Sequence, residues 1–443
     1  MSSWHERVAA IGLTGAAATL ATQYFEEVGS RHAAVFAPAQ PARAWWVPGR
    51  IEVLGKHTDY GGGRSLLCAV ERGFHVVATP RDDAVIRIID ASTTASVTIP
   101  FSPDAEPRPG HWTDYPITVV RRVARDFPGA RIGMNATIRS SLPSASGLSS
   151  SSAMVIACFL PLAALNALRD HATWKSIRDE DALAEYLGAM ENGRAFGSLA
   201  ADRGVGTQGG SEDQTAILRG QPGSLLQYHF IPVTHEATVA LPPDWCFVIA
   251  MSGVHAAKGG AVQARYNALA GEVSALLAIW NTEMHREDRS LFGAIRSADD
   301  AATRLATMVA ASATADRDTL RDRLAQFVDE TDVIIPEVTR RLASGDVATI
   351  GELVARSQVN AERTLRNQIP ETIHLARSAP GFGAVAASAF GAGFGGSVWA
   401  LVRTEEIERF TEQWRNEYLA NFPARRHRAE FFASRPGPAA IEL

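Results

Sequence analysis

Cysteine is scarce in this chain: Cys68, Cys158 and Cys246 are the only three among 443 residues. Odd in number and far apart, they form no metal or redox motif and suit a reducing cytoplasm. No apolar run reaches the length of a membrane span, so no membrane partner is expected. A basic surplus is missing too. The net charge of −5 argues against a nucleic-acid partner and against anionic membrane surfaces. Internal repeats and low-complexity tracts are absent. Residues 8–22 are apolar and Ala-rich, but Arg7 alone precedes them as a charged cation, beside His5 and Glu6, and Thr and Gly interrupt them. They read as an N-terminal helix rather than a signal peptide. What is present is ordinary for a soluble globular protein, with 46% apolar and 21% charged residues. The length suffices for two domains or one large one. A cytoplasmic monomer or homodimer is the expectation.

Residues 1–36 look helical, ending near Pro38, and 38–48 form a Pro-bounded segment. HVVA (75–78), VIRII (85–89) and SVTI (96–99) are short β-branched runs parted by turn residues. Helical spacing follows over 115–127, then a strand candidate, IGMNATI (132–138), and an amphipathic helix over 182–198. SLLQYHFIPV (224–233) and WCFVIAM (245–251) are strand-like, and 260–367 is mostly helical with Pro336 as an internal break. Strands and helices in mixed order, without strict βα alternation, favour an α+β fold.

Three stretches carry chemistry. The first is ASGLSSSSA (145–153), small residues followed at once by an apolar helix. Such a loop lets backbone N–H groups approach an anion, and the helix start adds unpaired donors and a positive dipole end. It is not a Walker loop, because no Gly-Lys-Ser/Thr follows. The competing reading is a Ser cap on a buried helix. The second is VPGRIEVLGKHTDYGGG (47–63), where Arg50, Lys56, His57, Asp59 and Tyr60 lie within eleven residues. On a strand, Ile51 and Val53 share one face while Arg50 and Glu52 point the other way. Gly55 then opens a loop presenting His57 and Asp59, groups that pair with hydroxyls. A polar surface turn is the alternative. The third is GVGTQGGSEDQTAIL (204–218), with Glu212-Asp213 between a Gly run and an apolar segment. A carboxylate there suits proton abstraction from a hydroxyl, or simply a helix start.

Together with GAGFGGSVWALV (391–402), these stretches resemble the GHMP kinase superfamily, and within it the galactokinase family. GRIEVLGKHTDYGGG is similar to the galactokinase signature, usually Gly-Arg-Val-Asn-Leu-Ile-Gly-Glu-His-Thr-Asp-Tyr-Asn. LPSASGLSSSSA resembles the phosphate loop, SEDQ the Met-Asp-Gln around the catalytic Asp, and GAGFGGSVWALV the third motif. GHWTDY (110–115) and ARYN (264–267) are weaker likenesses. The resemblance spans about residues 40–403. It implies transfer of a phosphoryl group from ATP, with Mg2+, to a sugar hydroxyl, the anomeric one. It also implies a ribosomal-protein-S5-like N-terminal domain, set here at 1–220, and a ferredoxin-like C-terminal domain at 221–443, with the active site between them. Arg50 and Asp213 match the catalytic pair. Gly147, Leu148, Ser149, Ser150, Ser151 and Ser152 match the phosphate cradle. Ser151 and Glu191 match the magnesium ligands, and His57, Asp59 and Tyr266 match sugar-contacting positions, with Arg50, Lys56 and Asp213 also facing the acceptor. Gly393, Gly395 and Gly396 would bring the third motif close.

Four departures stand out. Lys56 replaces a Glu of the pattern, which points either to a uronic or otherwise anionic sugar or to an internal pair with Glu52, Glu191 or Glu212. Glu212 replaces an apolar residue. Ala145-Ser146 replace glycines. The gap from Glu191 to Asp213 is 22 residues, about ten more than the pattern, with the excess within 193–210. Two other classes fit part of the chain: a sensor that binds sugar and ATP without transfer, and a kinase for a cyclitol or another small alcohol. The intact Arg50, Asp213 and serine loop favour the enzyme.

Overall fold

Trp45 and Trp46 sit side by side in a 12-residue strand and point to opposite faces of the first sheet, as strand geometry requires. The computed structural model describes residues 3–37, 40–108, 110–143, 147–254, 260–314 and 316–443. Two N-terminal helices, α1 (Trp4–Ala10) and α2 (Gly15–Phe36), precede β1 (Arg43–Leu54) and the long β2 (Arg64–Arg81). β3 (Val85–Asp90) and β4 (Ser96–Pro100) follow, then α3 (Asp114–Asp126), β5 (Gly133–Ser140), α4 (Ser150–Leu165), α5 (Glu180–Asn192) and α6 (Glu212–Arg219). β6 (Ser224–His229), β7 (Thr234–Ala240) and β8 (Trp245–Met251) lead to a helical region. It holds α7 (Gly260–Met284), α8 (Leu291–Ile295), α9 (Ala301–Ala311), α10 (Arg317–Val328), α11 (Ile335–Ala343), α12 (Gly351–Asn360) and α13 (Pro370–Ser378). β9 (Ala386–Ala389), β10 (Ser397–Arg403), α14 (Ile407–Asn421), β11 (Glu430–Ser434) and β12 (Ile441–Glu442) complete the chain.

The first sheet runs β12-β1-β2-β5-β3-β4, with β6 on the early part of β2 and β7 on β6. Among the described residues, only β3 and β5 pair in parallel. α2 covers one face, burying Phe25 and Val28 against Trp46 and Val77. The other face packs on α3, α4 and α5 through Val119, Val155, Ile156 and Leu187. The second sheet, β11-β8-β10-β9, is antiparallel and backed by α13 and α14. Mixed parallel and antiparallel pairing with segregated helices is the α+β class expected.

Several boundaries differ from the sequence expectation. Division at 220/221 cuts across the first sheet, because β6, β7 and the C-terminal β12 all pair within it. β1 already begins at Arg43, inside the Pro-bounded segment, and the strand at 224–233 turns after His229. The helix expected over 182–198 stops at Asn192, where Gly193 adopts φ +73° as its cap. Pro336 is not a break: α10 passes through a wider π turn (329–334) into α11, and that register absorbs the donor proline lacks. Pro38 and the Ala145-Ser146 replacement lie outside the described residues.

Candidate active site

Arg50 leaves β1 on the face opposite Ile51 and is 4% exposed. Its Nε donates to Asp213 Oδ1 at 2.8 Å, and Nη2 lies 2.6 Å from the same oxygen. Its Nη1 donates to the Gly147 carbonyl at 2.6 Å, and its backbone N–H to the Leu148 carbonyl at 3.2 Å. One guanidinium thus ties the serine loop to the start of α6. Burial opposes its charge, but Asp213, Glu212 and Glu52 outweigh that and hold it protonated.

Two cavities meet at this pair. The larger, about 480 Å³, is walled by Phe74, Trp112, Tyr115, Ile138, Leu142 and Met154 and floored by Gly147 and Ser149 to Ser151. Ser149 takes φ +57° ahead of α4 and makes no side-chain cap bond, so the loop offers the helix start without blocking it. Gly147 takes φ +79°, a conformation that glycine adopts without strain. The second cavity is lined by Glu52, His57, Asp59, Ser152, Glu191, Asn192, Thr207, Gly209, Gly210, Glu212, Gln214, Tyr266 and Gly391. Arg50, Asp213 and Ala392 line both.

In the second cavity, His57 Nδ1 pairs with the Tyr60 hydroxyl at 2.9 Å, and its ring lies 5.1 Å from that of Tyr266. Asp59 accepts from the backbone N–H groups of Tyr60 (2.8 Å) and Glu212 (3.3 Å). Burial and then the charge of Asp213 push its pKa upward. Ser152 Oγ lies 2.7 Å from Glu191 Oε2 and 3.2 Å from Asp213 Oδ2, and Gln214 Nε2 donates to Glu191 at 2.6 Å. Burial, reinforced by Glu52 and Asp59, pushes Glu212 well above the usual carboxylate range. Its carboxyl accepts from Ser65 Oγ at 2.9 Å and lies close enough to that of Glu52 for the two to act on each other.

The structure gathers Arg50, His57, Asp59, Ser152, Glu191, Asp213 and Tyr266 around one cavity and Gly147 with Ser149 to Ser151 around the other. Three expectations are revised. The serine touching Glu191 is Ser152. Ser151, one residue and about 100° away around the helix, lines the larger cavity and hydrogen-bonds Tyr115. Leu148 contributes its backbone carbonyl while its side chain is fully buried in the core. Lys56 lines neither cavity. It is 1% exposed and its Nζ donates to Ser357 Oγ at 3.0 Å, which in turn donates to Glu330 Oε1 at 2.8 Å. It is held internally by that hydrogen-bonded chain, with α12 and the π turn as hosts, rather than by an ion pair with Glu52 or Glu212; Glu52 feels its charge, whereas Glu212 bridges to Arg50 at 3.7 Å.

In the third motif, Gly391 and Ala392 reach the site, whereas Gly393 packs on Asn367. The stretch 193–210 does border the second cavity. Asn192 accepts from Gly209 N–H (2.9 Å) and donates to the Gly210 carbonyl (3.0 Å), fixing the turn beside Asp59. Sequence reasoning did not single out Gln214, Asn192, Thr207 or Glu52 as lining residues. For Glu52 the signal was present, since alternation puts it on the face of Arg50.

Comparison with known proteins agrees with this fold. Residues 30–80 match the galactokinase galactose-binding signature, 114–221 the GHMP kinase N-terminal domain and 335–421 the GHMP kinase C-terminal domain. A galactokinase from Actinobacillus pleuropneumoniae is 26% identical over 392 residues, covering 88% of this chain and 90% of the relative. One from Roseiflexus sp. (strain RS-1) is 28% identical over 373 residues, covering 84% and 86%. The crystal structure of Lactococcus lactis galactokinase complexed with galactose superposes with a TM-score of 0.78 at 20% identity, covering 96% of this chain and all of that one. Methanococcus jannaschii mevalonate kinase follows at 0.52 and 13%, covering 90% and 99%. The last two likenesses speak for the fold.

Proposed function

The chain belongs to the GHMP kinase superfamily and is a galactokinase-like sugar kinase, and from that premise we propose that it phosphorylates the anomeric hydroxyl of an uncharged or cationic hexose-type sugar. The observation that carries this reading is the junction of the two cavities at Arg50 and Asp213. A donor in one and an acceptor in the other meet at that pair.

Kinases of this superfamily use ATP with Mg2+, and the described residues suit both. The aromatic walls of the larger cavity suit a purine, and Gly147 with the uncapped start of α4 suits phosphates. Glu191 and its neighbouring Ser152 supply oxygen ligands of the kind magnesium takes. The bound metal–nucleotide supplies the phosphoryl group and neutralises charge on it. Asp213 holds the acceptor hydroxyl in line and accepts its proton; a loose transition state asks little more of a base. Arg50 stabilises the charge that develops between the two cavities, and its direct pair holds the Asp213 carboxylate in place. His57, Asp59 and Tyr266 meet the sugar hydroxyls.

A uronic or otherwise anionic acceptor finds little support. Lys56, which suggested it, does not line the cavity, while Glu52, Asp59, Glu191, Glu212 and Asp213 all do, against a single Arg50. ADP release is the test, run with galactose, galacturonate and a hexose panel. Galactose turnover is expected to exceed that of galacturonate. Asp213→Asn is expected to cost about 10²–10³-fold in kcat, with sugar still bound. Equal turnover by Asp213→Asn sinks the assignment. Sugar and ATP binding without ADP release from the native protein would make it a sensor instead.

A further inference from the structure

Arg323 on α10 is fully buried, yet its guanidinium is not spent on a carboxylate. Its Nε stops 3.8 Å short of Glu272 Oε2 on α7, beyond hydrogen-bond reach. A guanidinium stripped of water costs stability unless its donors are taken up. Those of Arg323 go to the loop that follows β1. Nη2 donates to the His57 carbonyl and, at 3.3 Å, to the Tyr60 hydroxyl, while Nη1 donates to Gln326. Gln326 Nε2 in turn donates to the Lys56 carbonyl at 3.3 Å. A single turn of α10 thus grips residues 56, 57 and 60 of the acceptor loop.

That grip has two consequences for His57. Its backbone takes φ +58°, a left-handed conformation uncommon for a residue with a side chain, and binding its carbonyl holds that conformation. The second consequence concerns the ring. A guanidinium donates and never accepts, so the Tyr60 oxygen is the acceptor toward Arg323. Burial pushes the Tyr60 phenol upward in pKa, so it keeps its own hydrogen. Among the described residues, the acceptor within reach of that hydrogen is His57 Nδ1, at 2.9 Å. A proton on Nδ1 would turn this contact round. The phenol oxygen would then face donors from two sides, and its buried hydrogen would have no acceptor, which is costly.

We propose that Arg323 is a positioning residue for the acceptor site, fixing His57 in its Nε2–H tautomer through the Tyr60 hydroxyl and fixing the place of the ring through the His57 carbonyl. The ring lines the acceptor cavity beside Asp59 and lies 5.1 Å from that of Tyr266, so its orientation sets part of the wall an acceptor meets. Arg50 and Asp213 are held by each other on β1 and α6. Arg323 therefore acts on acceptor binding rather than on the transfer step. The kinetic side of this inference rests on the sugar-kinase reading; the tautomer does not.

Nitrogen NMR of the full chain carrying isotope-labelled histidine reads the tautomer directly, with the His57 signals assigned by their loss in His57→Gln. A protonated Nε2 and an unprotonated, hydrogen-bonded Nδ1 are expected. A protonated Nδ1 in the native protein overturns the proposal. Arg323→Met and Tyr60→Phe are then compared with the native protein by calorimetric binding of the best-bound sugar of the hexose panel and by ADP release. Both variants are expected to weaken sugar binding and to raise the sugar KM about tenfold or more, with kcat and the KM for ATP within about threefold of the native values. Tyr60→Phe is also expected to move the Nδ1 signal to that of an unbonded imidazole nitrogen. Thermal unfolding shows whether each variant folds, and Tyr60→Phe, which removes one oxygen, serves where Arg323→Met does not. Native sugar affinity in a folded variant, or a loss confined to kcat, overturns the proposal. If the native protein binds no sugar and releases no ADP, the sugar-kinase reading falls, while the NMR signals still decide the tautomer.

Discussion

Lys56 and Gly393 show how single positions bind the two halves of the molecule around the site. The Lys56 ammonium is buried in the loop after β1 and reaches α12 through Ser357 and the π turn through Glu330, whose Oε1 also accepts from the Gly55 N–H at 3.0 Å. Removing one partner of a buried charge network strands the rest. Lys56→Met is therefore expected to cost about 3–5 kcal/mol of stability, and Ser357→Ala about 1–3 kcal/mol. Urea denaturation checks both, and an unchanged midpoint for Lys56→Met contradicts the pairing. The charge reversal itself was plain in the sequence. Its consequence was not, because the partners lie some 300 residues away and appear only when α12 folds onto β1. Gly393 combines φ +70° with a close approach: a Cβ would lie 2.3 Å from the Asn367 carbonyl oxygen. Asn367 Nδ2 in turn donates to the Gly391 carbonyl at 2.7 Å, beside Glu52. Gly393→Ala is expected to destabilise by roughly 1–3 kcal/mol and to lower turnover, since the loop must shift at both cavities. Wild-type kinetics in that variant would refute the coupling.

At the level of elements, α2 is docked on the first sheet through buried histidines. His32 Nδ1 and Nε2 each lie 3.0 Å from a threonine hydroxyl, Thr137 on β5 and Thr79 on β2. Burial lowers its pKa to about 4. His75 on β2 packs edge-on against Tyr24, Phe25 and Trp46, and burial lowers it to about 3. Both are neutral when folded near neutral pH, whereas the unfolded chain takes up protons near the ordinary value of 6.5. The unfolded state then binds more protons, so stability is full above about pH 6.5 and falls as pH drops through the window down to the folded values. Urea midpoints measured at about pH 7 and about pH 5 are expected to show the loss, with His75→Phe removing part of the slope. Buried carboxyls such as Asp59 and Glu212, raised on folding, act in the opposite sense, so the check is the difference between the two proteins, and an unchanged slope in His75→Phe would refute it. The helix itself was readable from its apolar run. The strand alternation that places Arg50 beside Glu52 was readable too, as were the serine loop and the acidic pair at 212–213. The π turn ahead of Pro336 and the turn at 193–210 were not, because tertiary contacts set them. Arg122, for example, reaches from α3 to the Arg194 carbonyl at 2.9 Å. No local pattern encodes that reach.

For the whole molecule, the decisive fact is that chain order and sheet membership disagree. β6 and β7 follow the phosphate loop and α6 in sequence but complete the first sheet on Arg64 to Leu67 of β2, and the last strand, β12, returns to pair with Trp45 and Trp46. The largest apolar cluster likewise runs from Val47 and Ile51 in the first sheet to Phe247, Trp399 and Leu401 in the second. A unit ending at residue 220 would leave the outer edges of β1 and β2 unpaired and expose core side chains normally covered by the second sheet. Exposed hydrophobic edges of that kind recruit other chains. Residues 1–220 expressed alone are therefore expected to aggregate or to lack fixed tertiary structure, as read by near-ultraviolet circular dichroism. The full chain is expected to unfold by calorimetry in a single transition, because the two sheets share one core. A folded, monomeric 1–220 fragment, or two separate thermal transitions in the full chain, would show that the halves are independent. The catalytic pair would then be held by a hinge rather than by a common core. Under the continuous core seen here, Arg50 and Asp213 are fixed relative to each other before any ligand arrives, as both residues lie within the first sheet and the helix that packs on it.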